Sequence, residues 1–365
     1  MILHIYFARR FLFSFAVVTA GFLTILMLVD LIDQIRGFEG LDVSFAQMMR
    51  IVLLNVPAAI SEILPLIMIL ATVALFVSLA RSSELVVTRA AGRSGIRALF
   101  APIFVAAVIG VLAVMMLNPI VAATSAQSER MTELYRTGDT SALSISEDGL
   151  WLRQGGPRGQ TVIHAERYSA EGGILYNVTF LAYEQEGGPV RRIEAGSARL
   201  IDGAWSMRAA KVWTLRAGLN PEATAAAHDS LQLPSTLTQD RIRDSLINPH
   251  GISIWDLSTT ILQLEQAGFS TIRHQVWFQS ELARPLFLMA MVLVAAAFTM
   301  RHTRSGGTGF AVLVSVLLGF GLHFVRNFAQ VLGENGQLPV LLASWAPPMA
   351  ALLLAFGLLL HTEDG

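Results

Sequence analysis

The sequence predicts a helical membrane protein with six spans and an all-β domain inserted between the third and fourth. Three observations lead there. Six apolar stretches approach or reach the roughly 20 residues a bilayer-crossing helix needs. Arginines gather in alternate connections between them. The region 122–279 contains no spanning stretch, and its middle alternates apolar and polar residues with period two.

Composition sets the frame. The chain has 365 residues, 53% of them hydrophobic and 15% charged, against about 25% charged in ordinary soluble domains. Mean hydropathy is +0.55. Such a chain has too much apolar material to stay unfolded in water. Its 26 Lys and Arg nearly cancel 27 Asp and Glu, which excludes a strongly basic nucleic-acid binder. Lys211 is the only lysine, and there is no cysteine to form a disulfide, a thiolate metal site or a nucleophile.

The six stretches are Phe11–Val29, Ile63–Ala80, Ala98–Val121, Leu282–Met300, Phe310–Val325 and Leu338–Leu360. The first has an apolar core longer than a signal peptide's and no clear cleavage site, so it reads as a retained helix. Orientation follows from positive charge, which collects in short cytoplasmic loops. Arg9 and Arg10 precede the first span. Arg81, Arg89, Arg93 and Arg97 lie between the second and third, and Arg301 and Arg304 between the fourth and fifth. After the first span, Asp30, Asp33, Glu39 and Asp42 outnumber Arg36 and Arg50. Both termini are therefore expected in the cytoplasm and the inserted domain outside. The domains expected are 1–121, 122–279 and 280–365.

In the inserted region, Ile174, Tyr176, Val178, Phe180 and Ala182 read as one face of a strand. Trp205, Met207, Ala209 and Trp213 read as one face of another, with Lys211 interrupting. Breaks such as Gly155-Gly156-Pro157 and Gly187-Gly188-Pro189 separate the strands. Two readings stand for this domain: an ordinary sandwich core, or a β structure with an apolar, ligand-holding interior. Ile254, Leu257, Ile261 and Leu264 then recur at helical spacing, predicting an amphipathic helix that ends near Gly268.

Catalytic signatures are missing from the sequence. It has no phosphate loop of the G-x-x-x-x-G-K-[ST] type and no H-E-x-x-H zinc pair. Asp30, Glu62, Arg284 and Arg326 fall near the outer helix ends, where charge is expensive. One reading has such side chains snorkel to the interface. Another has Arg36, Arg130 and Arg136 meet an anionic headgroup, since the guanidinium fork suits phosphate.

The segment Ser82-Ser83-Glu84-Leu85-Val86-Val87-Thr88-Arg89-Ala90-Ala91-Gly92 reads as a short helix between two spans. Ser83 suits an N-cap, Glu84 the positive helix end and Gly92 a stop. It is either a plain connector or a coupling helix that docks into another protein.

Glu84 through Gly92 resembles the coupling-helix motif of the lipopolysaccharide-export permeases LptF and LptG. Tyr6-Phe7-Ala8-Arg9 is similar to that family's amphipathic start, and Asp33-Gln34-Ile35 to the end of its first span. Gly149-Leu150-Trp151, Val162-Ile163-His164-Ala165, Arg273-His274-Gln275-Val276-Trp277 and Trp345-Ala346-Pro347 look more like the G branch than the F branch. The resemblance covers nearly the whole chain.

It implies an inner-membrane ABC transporter subunit of a Gram-negative cell, with no ATPase site of its own. The outer domain would be a periplasmic β-jellyroll. The implied partners are an LptF-type permease, an LptB-type ATPase dimer carrying ATP and magnesium, LptC, and LptA through a periplasmic bridge. Glu84, Leu85, Val86, Thr88, Arg89, Ala90, Ala91 and Gly92 would meet the ATPase. Phe15, Phe22 and Leu26 on the first span, with Phe320 and Phe324 on the fifth, are the expected cavity and gate residues. Alternatives are the F-type role, another ABC permease, or a membrane-anchored scaffold or receptor. One departure stands out. The family tends to place basic residues at the outer end of the first span, where this chain has Asp30 and Asp33, with only Arg36 positive. Headgroup recognition moved to Arg130 and Arg136, a less phosphorylated lipid, or a divalent cation carried by Asp30 would each account for it.

Overall fold

The computed structural model describes residues 2–84, 95–137, 142–146, 149–156, 159–169, 174–184, 188–201, 203–215, 220–235, 249–266, 270–300 and 308–363. Contacts divide the chain into two compact units. One comprises Met1–Ser128, His250–Trp255 and Gln275–Gly365; the other comprises Glu129–Pro249 and Asp256–His274.

The first unit is a bundle of long apolar helices. They are α1 (Ile2–Gly37), α2 (Phe45–Arg81), α3 (Gly95–Leu112), α4 (Asn118–Thr137), and, after the β region and a helix α5 (Ile254–Gln266), α6 (Ile272–Leu282), α7 (Arg284–Thr299), α8 (Thr308–Glu334) and α9 (Val340–Glu363). Five helical runs among the described residues are long and apolar enough to cross a membrane, and α6 with α7 makes a sixth, bent by 50°. The helices outrun the apolar stretches read from sequence. α1 has 36 residues, about 54 Å of helix against a hydrocarbon core of about 30 Å. Hydropathy marks where a helix meets lipid, not where its backbone ladder stops. α2 accordingly starts at a capping box in which Ser44 Oγ accepts from the Gln47 amide and Gln47 Oε1 accepts from the Ser44 amide.

Two prolines shape the bundle. Pro285 lies just inside α7. It has no amide proton, and its ring crowds the carbonyl four residues earlier, so the fourth span breaks between Leu282 and Arg284. Pro119 does the same to α3 and α4, which are joined by a π-helical turn over Ala113–Leu117. The third span therefore does not end at Val121 but runs on through α4.

α7 is the centre of the bundle. It packs against α2, α3, α8 and α9 and is apolar on nearly every side, as a helix with no lipid face must be. Phe287, Leu288, Met291 and a run of alanines meet Met68, Leu75 and Phe76 of α2 in one continuous core. The contact with α3 is made at Gly110, where a Cβ would come to 2.5 Å from the Pro285 Cα. Backbone cannot yield as a side chain can. Gly110→Ala is therefore expected to lower bundle stability by about 1–3 kcal/mol, measured by thermal unfolding in detergent. An unchanged midpoint would show that the crossing is looser than this.

The second unit contains a seven-stranded antiparallel sheet: β1 (Ala142–Ser146), β2 (Gly149–Gly156), β3 (Gly159–Ser169), β4 (Ile174–Tyr183), β5 (Pro189–Ile201), β6 (Ala204–Thr214) and β7 (Ala226–Pro234). Each strand lies beside its neighbour in sequence. One apolar face is buried, with Leu152, Ile163, Phe180, Ile193, Trp205 and Met207 at its heart. The Trp205 indole donates to Gln154 Oε1 at 3.2 Å.

The face assignments read from sequence are half right. On β4 the buried residues are Leu175, Val178 and Phe180, while Tyr176 is exposed. On β6 they are Trp205, Met207 and Ala210, not Ala209. The phase slips at Asn177 and Ala209, which have φ of 51° and 50°. They flank Gly196 in the register, where the regular pairing is interrupted. A crease thus crosses three strands, and period two restarts on its far side. Asn177 Nδ2 holds one end of it by donating to Glu166 Oε2 at 2.7 Å.

The amphipathic helix predicted after the strands is α5. Residues 267–269, where its end was placed, lie outside the described residues.

Candidate functional site

Four features of the bundle carry functional chemistry. The first lies where α1 begins and α2 ends. Ser83 has φ of 59°, and its amide donates to the Ala80 carbonyl. It therefore serves the end of α2 rather than capping a new helix, because an N-cap needs extended backbone. Glu84 is then held from three sides. Tyr6 Oη donates to Oε2 at 2.7 Å, while Arg10 Nη2 at 3.2 Å and Ser82 Oγ at 2.8 Å donate to Oε1. Arg10 also donates to Ser78 Oγ and lies over the Tyr6 ring. The Tyr6 hydrogen bond, followed by those of Ser82 and the charge of Arg10, keeps the Glu84 carboxyl below its ordinary value of 4.5, with burial opposing them. Leu85, Val86, Thr88, Arg89, Ala90, Ala91 and Gly92, the rest of the predicted coupling helix, lie outside the described residues.

The second feature is a cavity of about 300 Å³ between α1 and α2. Its walls include Leu23, Leu26, Met27 and Val56, and its rim carries Asp30, Asp33, Asn55 and Glu62. Ser128 donates to Asn55 Oδ1 at 2.6 Å, which turns the Asn55 amide toward Asp30. Asp30 then accepts from Asn55 at 3.0 Å and from Gln34 at 3.1 Å, one bond to each carboxylate oxygen.

The third feature corrects the sequence reading of the membrane charges. Arg284 and Arg326 do not snorkel: they are only 7% and 8% exposed. Arg284 pairs with Glu281, which is fully buried, at 2.5 Å and donates to Ser61 Oγ at 2.7 Å. Asn118 Nδ2 donates to the other Glu281 oxygen at 3.2 Å, and Asn118 Oδ1 accepts from the Ile254 amide at 2.9 Å. One polar string thus ties α2, α6, α7 and α4 to the first turn of α5. Pro119 adds to it. The Met115 carbonyl, denied its usual i+4 amide, accepts from the Trp255 indole at 3.3 Å. Arg326 stacks over the Phe287 ring at 5.1 Å. Burial this complete is what paired charges in a membrane interior require.

The fourth feature is the exposed apolar faces. On α8, Phe310, Leu313, Leu317, Phe320, Phe324 and Phe328 recur at three- and four-residue spacing. Of the predicted gate residues, Phe320 and Phe324 lie on this stripe, Phe324 at 70% exposure. Phe15 is half-buried against the bundle core, Phe22 is half-buried, and Leu26 lines the cavity. α1 packs on α2 and α3, and α8 packs on α2, α7 and α9. The two predicted gate faces thus belong to different helix pairs. Of the predicted headgroup residues, Arg36 and Arg130 are exposed, on the last turn of α1 and on α4. The Arg136 side chain lies outside the described residues.

Sequence reasoning missed Glu281, Asn118 and Ser61, and the part played by Tyr6 and Arg10. Glu281 and Arg284 at i and i+3, inside an apolar stretch, were the one available signal.

A six-span bundle with an inserted antiparallel β domain, a buried polar string and long uncovered apolar faces defines a polytopic membrane protein whose helices offer wide faces to lipid or to other chains. The family is given by comparison. The profile of the lipopolysaccharide export system permease LptF/LptG matches residues 5–361, and the chain belongs to that family. It is similar to the lipopolysaccharide export system permease protein LptG of Escherichia coli (strain K12), with 25% identity over 359 residues covering 94% of this chain and 95% of that one. The LptG of Haemophilus influenzae is 22% identical over 370 residues, covering 96% and 97%. The chain is thus a permease of lipopolysaccharide export.

Proposed function

We propose that this chain is the G-type half of a heterodimeric ABC permease in a Gram-negative inner membrane. Its termini and the 82–92 connection face the cytoplasm, and the β domain in 122–279 faces the periplasm. It pairs with an LptF-type permease above an LptB-type ATPase dimer, which carries ATP and magnesium; this chain hydrolyses nothing itself. The β-jellyroll domain passes lipid toward LptC and LptA.

The observation that carries this reading is the triple hold on Glu84. A carboxylate gripped by Tyr6 and Arg10 of α1 and by Ser82 at the end of α2 joins the coupling segment to two spanning helices at once. Force arriving there from an ATPase reaches α1 directly. α1 carries the α1–α2 cavity on one face and exposed Phe13, Val17, Ile25 and Leu28 on another, a surface suited to the gate between two permeases. The work needed is large. A lipid resists extraction by about 0.8 kcal/mol per buried CH₂, so a multi-acyl lipid does not leave the outer leaflet unaided. The apolar stripe of α8 suits the second gate face.

Affinity purification of the tagged chain from its own membranes tests the assembly. A second permease of similar size and an ATPase are expected to copurify, and lipopolysaccharide is expected to stimulate ATP hydrolysis. A chain that purifies alone, with no nucleotide-dependent behaviour, would instead fit a membrane-anchored scaffold.

A further inference from the structure

The α1–α2 cavity has the wrong charge for a phosphate. Three carboxylates, Asp30, Asp33 and Glu62, stand on its rim, and no basic side chain lines it among the described residues. Asp30 is built into place by the Ser128–Asn55–Asp30 relay and by Gln34. Asp33 and Glu62 are exposed toward the opening. Below them the walls are apolar. From Leu23 to Asp33 the helix rises about 15 Å, half the thickness of a hydrocarbon core. The cavity is thus apolar at depth and acidic at its mouth.

A ligand that fits has an acyl chain and a cationic head. Carboxylates at this depth are costly when unpaired, and a bare phosphate brought against them would add like-charge repulsion. A metal ion bridging carboxylates to phosphate would need converging ligands. No group of three His, Asp or Glu side chains able to hold a metal exists among the described residues. An ammonium needs no such cage: it donates three hydrogen bonds in any arrangement.

We propose that the α1–α2 cavity binds lipopolysaccharide through an amine substituent on its headgroup, so that this permease favours the amine-substituted form over the bare phosphorylated one. This rests on the proposed function and specifies its substrate. It also accounts for acidic residues at the outer end of α1.

The test uses the whole complex, purified with its partner permease and ATPase, in phosphatidylglycerol nanodiscs containing EDTA. Two lipopolysaccharide preparations are compared, identical except for amine substituents on the phosphates. The substituted form is expected to bind about tenfold more tightly, the yield of two partly exposed ion pairs. Asp33→Asn with Glu62→Gln is expected to erase that preference. Asp33→Lys with Glu62→Lys is expected to reverse it, in complexes that still assemble and melt as one. Equal binding of both preparations by the unaltered complex would overturn the proposal. So would a preference untouched by the charge reversal, or one that needs magnesium restored. Competition by phosphatidylethanolamine as strong as that by substituted lipopolysaccharide would overturn it too, by making the cavity a site for bulk lipid. Failure of either preparation to bind would sink the proposed function along with it.

Discussion

Arg284→Ala is expected to be the most damaging single substitution in the bundle, costing about 3–5 kcal/mol. The guanidinium neutralises Glu281, which has no exposure of its own, and its removal leaves an uncompensated charge in the densest part of the helix packing. The damage would spread, because Glu281 also holds Asn118, and Asn118 holds the first amide of α5. Glu281→Gln in the Arg284→Ala background removes the stranded charge and is expected to recover much of the loss. The double replacement Glu281→Leu with Arg284→Met removes both charges, and buried pairs exchanged for apolar residues are often neutral or better. Thermal unfolding of the purified complex reads all three. A loss below about 1 kcal/mol for Arg284→Ala, the range of exposed pairs, would mean that water reaches the site and that the string is not sealed.

Glu84→Ala is expected to have the largest effect on transport while barely altering stability. The Arg10–Glu84 pair is partly exposed, with the two side chains at 39% and 30%, so its contribution to folding is about 1 kcal/mol or less. What it supplies is a rigid connection. Losing that connection is expected to lower lipid release per ATP hydrolysed by about 5–150-fold, the range of ordinary coupling free energies. Tyr6→Phe removes only the strongest hydrogen bond and should give a smaller drop in the same direction. The pH dependence has a definite sign. Glu84 has a lowered pKa in the folded chain, so its contribution is complete above the ordinary value of 4.5 and fades as pH falls through the lowered one. Coupling measured from neutral pH down to 4.5 should therefore show no step from this group. A step well above that value would mean the carboxylate is not held as described.

The parts of the fold legible from sequence were those written in local patterns. Six apolar stretches marked the spans because lipid selects side chains directly. The helix ends were not legible, since α1 and α2 carry their hydrogen-bond ladders well past the lipid. Alternation found the strands but misplaced their faces beyond Asn177 and Ala209, because one left-handed residue reverses the phase without leaving a mark on hydropathy. The membrane charges were misread for a related reason. Hydropathy reports depth but not direction, so Arg284 buried against Glu281 looks the same as an arginine reaching for the interface. Glu84 was found through a family motif. Its partners Tyr6 and Arg10 lie 78 and 74 residues away in sequence, where no local pattern could join them.

The central claim is that this chain turns ATP closure beneath the membrane into release of lipopolysaccharide above it. The most direct test loads proteoliposomes containing the assembled complex with lipopolysaccharide, adds ATP, and tracks transfer to a soluble periplasmic acceptor while phosphate release is counted in the same sample. Transfer is expected to depend on ATP in the unaltered complex. With Glu84→Ala, transfer is expected to collapse in complexes that still contain all their subunits. Transfer that proceeds equally without ATP, or with Glu84→Ala at the unaltered rate, would contradict the account and leave the 82–92 connection a simple tether.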